Sequence, residues 1–261
     1  MLSTGSPLPA PTHRWAFEHV APIRLSSITG GTDIIGCFAL GNPCTAVHAG
    51  EIQCVALGMD VAFFDDQGVA LPRGKGELVC RRSFPSMPLG FWNDASGARY
   101  HAAYFERFPR TWHHGDFGEF TANDGVVIHG RSDAVLNRGG VRIGTAEIYR
   151  QVEPIQDVLE SIAVGREHGD ELELILFIRL RDGASLDDVL ARRIRDAIRT
   201  GASPRHVPDR IVAVADMPRT RSGKLVEIAV RDVVSGRTVS NVGALANPQA
   251  LDLFQPAKWE S

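Results

Sequence analysis

At 261 residues, 44% of them hydrophobic, with a formal net charge of −3, the chain has apolar material for one or two globular domains with real cores. The near-neutral balance gives no electrostatic reason to expect nucleic acid or an anionic membrane as the main partner. No apolar run approaches the ~18 residues of a membrane span and no signal peptide is legible, so a cytoplasmic location is expected.

The four cysteines, Cys37, Cys44, Cys54 and Cys80, form no C-x-x-C pair and sit among apolar neighbours, which reads as reduced, buried thiols. STGSPLPAP (3–11) is a Gly/Ser/Pro-rich loop. A helix is expected over Thr12–Val20, with Trp15 and Phe17 as packing candidates. LSSITGGTDIIGCF (25–38) reads as a short buried strand, a glycine turn and a second apolar piece. The Thr32 hydroxyl and Asp33 carboxylate stand beside two glycines, which put no side chain in the way of a phosphate–magnesium group. An ordinary Gly-Gly hairpin with a solvated Asp33 is the competing reading.

Residues 47–92 look like β-structure, with DDQG (65–68) as a turn and RGKGELVCRR as a further strand. GKGEL lacks the spacing of a phosphate loop and is read as structural, with Glu77 anchoring backbone or a partner strand. In FPRTWHHGDFGEF (108–120), Asp116 closes a glycine turn, where a short carboxylate can accept hydrogen bonds from two ribose hydroxyls. The adjacent His113 and His114 point to opposite sides of an extended segment and do not share a metal ion.

VVIHG (126–130) reads as a strand ending in a glycine turn, so that Arg131 and Asp133 lie on a connector. Thr145 is a candidate helix cap, with Glu147 in the first turn and Ile148 and Val152 forming the apolar stripe. The remainder has the pattern of a small α+β domain. SIAVG (161–165), LELILFIRL (172–180) and RIVAVAD (210–216) are expected strands, and KLVEIAVRDVVSG (224–236) an expected helix. SLDDVLARRIRDAIRTG (185–201) is an amphipathic helix with Ser185 as cap, Gly201 as terminator and Leu186, Val189, Leu190, Ile194 and Ile198 inward. Its arginines 192, 193, 195 and 199 form a solvated face. PRTRSGK (218–224) is a turn presenting Lys224, whose ammonium can reach oxygens that gain charge as a carboxylate attacks an α-phosphate; a solvent lysine is the alternative.

With GRSDAVLNRGGVRIGTAEIY (130–149) at its centre, the chain resembles the adenylate-forming ligases, the superfamily of acyl-CoA synthetases, luciferases and peptide-synthetase adenylation domains. Within them it is most similar to the acetoacetate–CoA ligase branch. TGSPL (4–8), ITGGTDIIGCF, GELVC (76–80), WHHGD (112–116), SPRHVP (203–208), RSGK (221–224) and the tail NPQALDLF (247–254) carry the resemblance. It implies an α/β and α+β fold. Residues 1–132 would be the C-terminal part of a large adenylate-binding domain with a β-rich subdomain. Residues 133–261 would be a small mobile α+β domain turning about hinge Asp133.

The implied reaction joins acetoacetate to CoA through an acyl-adenylate, with ATP, Mg2+ and CoA as cofactors and co-substrates. By the resemblance, Gly5, Ser6 and Pro7 lie against adenine. Gly31 and Thr32 contact phosphate, Asp33 is the magnesium-side carboxylate and Asp116 the ribose ligand. Arg131 holds ribose and phosphate, Gly139 and Gly140 pass the pantetheine arm, Arg142 contacts phosphate and Lys224 serves adenylation. The Ser/Thr/Gly-rich loop ending in Pro-Lys, with which these ligases wrap the outer phosphates, has no counterpart here. The expectation is therefore a C-terminal portion, active alone or with a separately encoded N-terminal half. The alternatives are an incompetent fragment that only binds AMP or CoA, and a ligase for another short acid.

Overall fold

The computed structural model describes residues 1–138, 141–168, 171–239 and 242–260, and the chain divides into two units, Met1–Ser132 and Asp133–Ser261. In the first unit, short β-branched and aromatic runs separated by turns pair as a four-stranded antiparallel meander of Val61–Phe64, Gly76–Cys80, Trp112–Phe120 and Val126–Arg131. A second sheet joins Thr29–Gly31, Gly36–Leu40 and Cys54–Val55. The two share a core of Ile34, Phe38, Phe63, Leu78, Trp112 and Val126. Leu2–Ser3 runs parallel to Ser26–Ser27, which leads directly into the Thr29 strand.

The second unit owes its shape to LELILFIRL. A strand exposed on one face alternates apolar with polar, whereas one covered on both faces is apolar throughout. Glu171–Leu180 pairs antiparallel with Val158–His168 and parallel with Arg210–Ala213. Leu174, Leu176 and Ile178 point to one face, under the helices Thr145–Val152 and Asp188–Gly201. Ile175 and Phe177 point to the other, where Val230 of the helix Glu227–Val234 and Phe254 of the turn Pro248–Phe254 cover them.

Several local expectations are corrected. The first helix spans Ala10–His19, and it buries none of its residues: Trp15 and Phe17 are about half exposed rather than packed. Of the cysteines only Cys80 is buried; Cys44 is exposed and Cys37 and Cys54 are half-buried, all as free thiols. Asp187, not Ser185, caps the 188–201 helix by accepting from the Leu190 amide at 2.8 Å. Val189 is 70% exposed, because it lies one residue off the Leu190–Ile194–Ile198 stripe. Gly144 precedes the Thr145 helix, and Glu147 accepts from its amide, so Thr145 is freed from capping and donates to Glu227 instead.

Fully buried Ile194 therefore carries weight that Val189 does not. Ile194→Ala should lower unfolding free energy by about 2–5 kcal/mol, read by denaturant melts, while Val189→Ala should leave the midpoint close to wild type.

Candidate functional site

The strand Trp112–Phe120 positions the site. Side chains alternate along it, so His113 faces Glu77 at 3.0 Å on one side, while Trp112, His114 and Asp116 are buried on the other. Glu77 is fully buried and held by Arg107 at 2.9 Å, His113 and Ser132, an anchoring role. Pairing with the Gly76–Cys80 strand passes from Glu77–Phe117 to Val79–His113, so the 112–120 strand carries a bulge around Gly115. Gly115 has a φ of +82°, and an added Cβ would lie 2.7 Å from an Arg131 guanidinium nitrogen. Only glycine meets both conditions without strain. Asp116 thus sits within a strand at a bulge, not at the end of a turn as the sequence suggests.

On the other edge of the strand Asp116 pairs directly with Arg131, and the register there shifts by one residue between Phe117 and Gly118. Arg131 Nη1 donates to Asp116 Oδ1 at 3.1 Å and to the His114 carbonyl at 3.2 Å. The hydroxyl of buried Thr29 donates to Asp116 Oδ2 at 3.1 Å. A carboxylate offers about four lone-pair sites, so these bonds orient Asp116 and leave acceptor capacity for a ligand's hydroxyls. The Arg131 side chain is half exposed.

Thr32 and Asp33 lie on the exposed turn between Thr29–Gly31 and Gly36–Leu40, so the Gly-Gly segment is indeed a hairpin. Its glycines are there for close approach. A Cβ on Gly30 would meet the Gly36 carbonyl at 2.2 Å, and one on Gly31 would meet Asp33 Oδ1 at 1.9 Å and the His114 ring at 3.1 Å. Asp33 is not merely solvated: Tyr104 donates to its Oδ2 at 2.7 Å. Burial lowers the His114 pKa from its ordinary value, against the opposing pull of Asp116 and Asp33. The imidazole is thereby favoured neutral between two carboxylates.

Gly5, Ser6 and Pro7 form the loop that leaves the Leu2–Ser3 strand, alongside the run leading to Thr29; the Ile28 amide donates to the Ser3 carbonyl at 3.0 Å. Asp33, Asp116 and Arg131 are brought together around His114. Lys224, Arg142 and Asp133 belong to the second unit, each on its own element. Lys224 is exposed on a tight turn, where Gly223 has a φ of +85° and the Lys224 amide donates to Thr220 Oγ1 at 3.1 Å. Arg142 is half-buried on the hairpin of Leu136–Arg138 with Val141–Ile143; Gly139 and Gly140 lie outside the described residues. Asp133 is the middle residue of the 3-10 turn Ser132–Ala134, and its carbonyl accepts from Arg231. Thr29, His114 and Tyr104 were not assigned from sequence. Glycine beside a carboxylate in a β-rich run is the signal that marks Gly115.

Residues 151–224 match the AMP-binding enzyme C-terminal domain. The chain is 57% identical over 255 residues to an acetoacetyl-coenzyme A synthetase of Rhizobium meliloti, covering 97% of this chain and 39% of that one. It is 44% identical to the acetoacetyl-CoA synthetase of Mus musculus, covering 98% of this chain and 38% of that one. The solved acetoacetyl-CoA synthetase from Streptomyces lividans superposes with a TM-score of 0.89 at 40% identity, over 98% of this chain and 40% of that one. The chain thus spans about two fifths of the length of the curated relatives it matches.

Because Gly115 is in a left-handed conformation, Gly115→Ala should cost about 1–2 kcal/mol, read as a lowered unfolding midpoint. A crystal structure of that variant should show the Arg131 guanidinium displaced from Asp116. An unchanged midpoint and geometry would contradict the account of the bulge.

Proposed function

We propose that this chain, similar over nearly its whole length to the C-terminal part of acetoacetyl-CoA synthetases, handles nucleotide and CoA in an AMP-forming acid–thiol ligase acting on acetoacetate. The observation that carries this reading is the cross-strand pair Asp116–Arg131 beside the Thr32–Asp33 hairpin: an oriented carboxylate suited to ribose hydroxyls, next to a cation suited to phosphate.

In the first half-reaction the acetoacetate carboxylate attacks the α-phosphate of ATP, forming acyl-adenylate and releasing pyrophosphate. Gly5–Pro7 bear on the adenine, Asp116 accepts from the ribose hydroxyls and Arg131 bridges ribose and phosphate. The Thr32 hydroxyl donates to a phosphate oxygen, and Lys224 neutralises the oxygens that gain charge. In the second, the CoA thiolate attacks the adenylate carbonyl and AMP leaves. Arg142 and the Gly139–Gly140 segment serve this step, and rotation about Asp133 exchanges the two sets of groups. Neither step uses a protein nucleophile; both rest on positioning and charge stabilisation.

Magnesium, when bound with the nucleotide, would neutralise phosphate charge, and Asp33 is the residue that would hold it. A lone carboxylate fits that ion, which keeps several waters and is shared with substrate phosphates, and the missing side chain at Gly31 leaves Asp33 Oδ1 approachable. Among the described residues no group of three His, Cys, Asp or Glu side chains forms an all-protein metal cage. The outer phosphates would be wrapped by an N-terminal portion supplied with this chain or by a separate partner.

The test is AMP release by the purified chain given ATP, magnesium, CoA and acetoacetate, with and without the N-terminal portion of a relative added. Release should depend on both acetoacetate and CoA. Lys224→Ala should slow adenylate formation by about 100-fold or more, while thioester formation from supplied acetoacetyl-adenylate stays within a few-fold. Equal loss in both half-reactions would contradict the role given to Lys224. Nucleotide binding without turnover in either mixture would favour the fragment that only binds AMP or CoA.

A further inference from the structure

Asp33 stands on an exposed turn, where water alone would satisfy its carboxylate. It is nonetheless held by Tyr104, the last residue of the helix Ala98–Tyr104, through a 2.7 Å hydrogen bond to Oδ2. The tyrosine is itself immobilised. Its ring stacks on Trp112 with centroids 3.6 Å apart and planes 15° apart, and the edges of Tyr100 at 5.4 Å and Phe91 at 5.7 Å close around it. Trp112 is fully buried and lies on the same strand and face as His114 and Asp116. A rigid path therefore runs from the ribose-side carboxylate, through Trp112 and Tyr104, to the phosphate-side carboxylate. The hairpin that carries Asp33 has two glycines and supplies little stiffness of its own.

On the nucleotide reading above, we propose that Tyr104 is a positioning residue: it fixes the rotamer of Asp33 so that Oδ1 is presented toward the magnesium-bearing phosphates of ATP. One oxygen is tied to the phenol and the other is left toward the space that a side chain at Gly31 would fill. A fixed carboxylate binds an ion without first losing side-chain freedom.

The test compares ATP with AMP as ligands of the whole 261-residue chain, each with magnesium and with the metal chelated, by titration calorimetry. Wild type should bind ATP more tightly with magnesium than without it, and should bind AMP equally in both. Tyr104→Phe keeps the ring and its stack, so the melting temperature and AMP affinity should hold, while the magnesium-dependent gain for ATP falls by about tenfold. Asp33→Asn should abolish that gain, and Tyr104→Phe added to Asp33→Asn should do nothing more. If Asp33→Asn removes the gain and Tyr104→Phe leaves it intact, Tyr104 does not position Asp33 and the inference falls alone. A Tyr104→Phe variant that loses AMP and ATP affinity equally, or melts well below wild type, would make the tyrosine a packing residue and also overturn it. If wild type shows no magnesium-dependent gain, or Asp33→Asn keeps it, the phosphate-side role of Asp33 fails and takes the inference with it.

Discussion

The strand that carries the first unit's site is bulged at Gly115, where two extra residues are taken up between the Glu77–Phe117 and Val79–His113 pairs. On the other edge of that strand Asp116 stands opposite Arg131, with a separate shift of register between Phe117 and Gly118. In that pairing a buried carboxylate gains a guanidinium on one oxygen and the Thr29 hydroxyl on the other. Burying a carboxylate unpartnered would be costly, so the pair is also what lets the acid sit buried. The glycine is fixed twice, by its backbone conformation and by the arginine lying over it.

The aromatic packing around that strand extends the same constraint outward. Trp112 anchors the strand in the core against Phe84, Phe105 and the two tyrosines, and Phe38 packs edge-on to His114. The site thus stands on a sheet and its buried rings rather than on a loose loop, and its exposed parts, Thr32, Asp33 and half of Arg131, project from that base. The second unit is built on a different principle. Its central strand is covered on both faces, and the residues of interest, Asp133, Arg142 and Lys224, lie in turns or a short hairpin outside the sheet. Chemistry carried on connectors can be re-aimed without disturbing a core.

Much of this was legible in the chain, and for identifiable reasons. LELILFIRL announces a strand by its short apolar run, unbroken from Leu174 to Ile178. The stripe Leu190–Ile194–Ile198 announces a helix because its spacing matches one face. His113 and His114 were separable because neighbours in a strand diverge. What escaped depends on contacts between segments distant in sequence. Thr29 meets Asp116 across 87 positions and Tyr104 meets Asp33 across 71, and no local pattern encodes such pairs. The sequence places Asp116 at a turn and the structure places it in a strand, since a glycine marks a bulge and a turn alike. Trp15 and Phe17 were read as core because aromatic residues usually are, yet the helix that carries them buries nothing within this chain.

The central claim is that the Asp116–Arg131 pair forms the sugar-and-phosphate end of a nucleotide site. The direct measurement is the affinity of the purified chain for AMP and for 2′,3′-dideoxy-AMP, in wild type and in Asp116→Ala. The account predicts that wild type prefers AMP by about tenfold or more, and that Asp116→Ala erases the preference by weakening AMP alone. Equal binding of the two nucleotides by wild type, or a preference that survives the loss of Asp116, would contradict it.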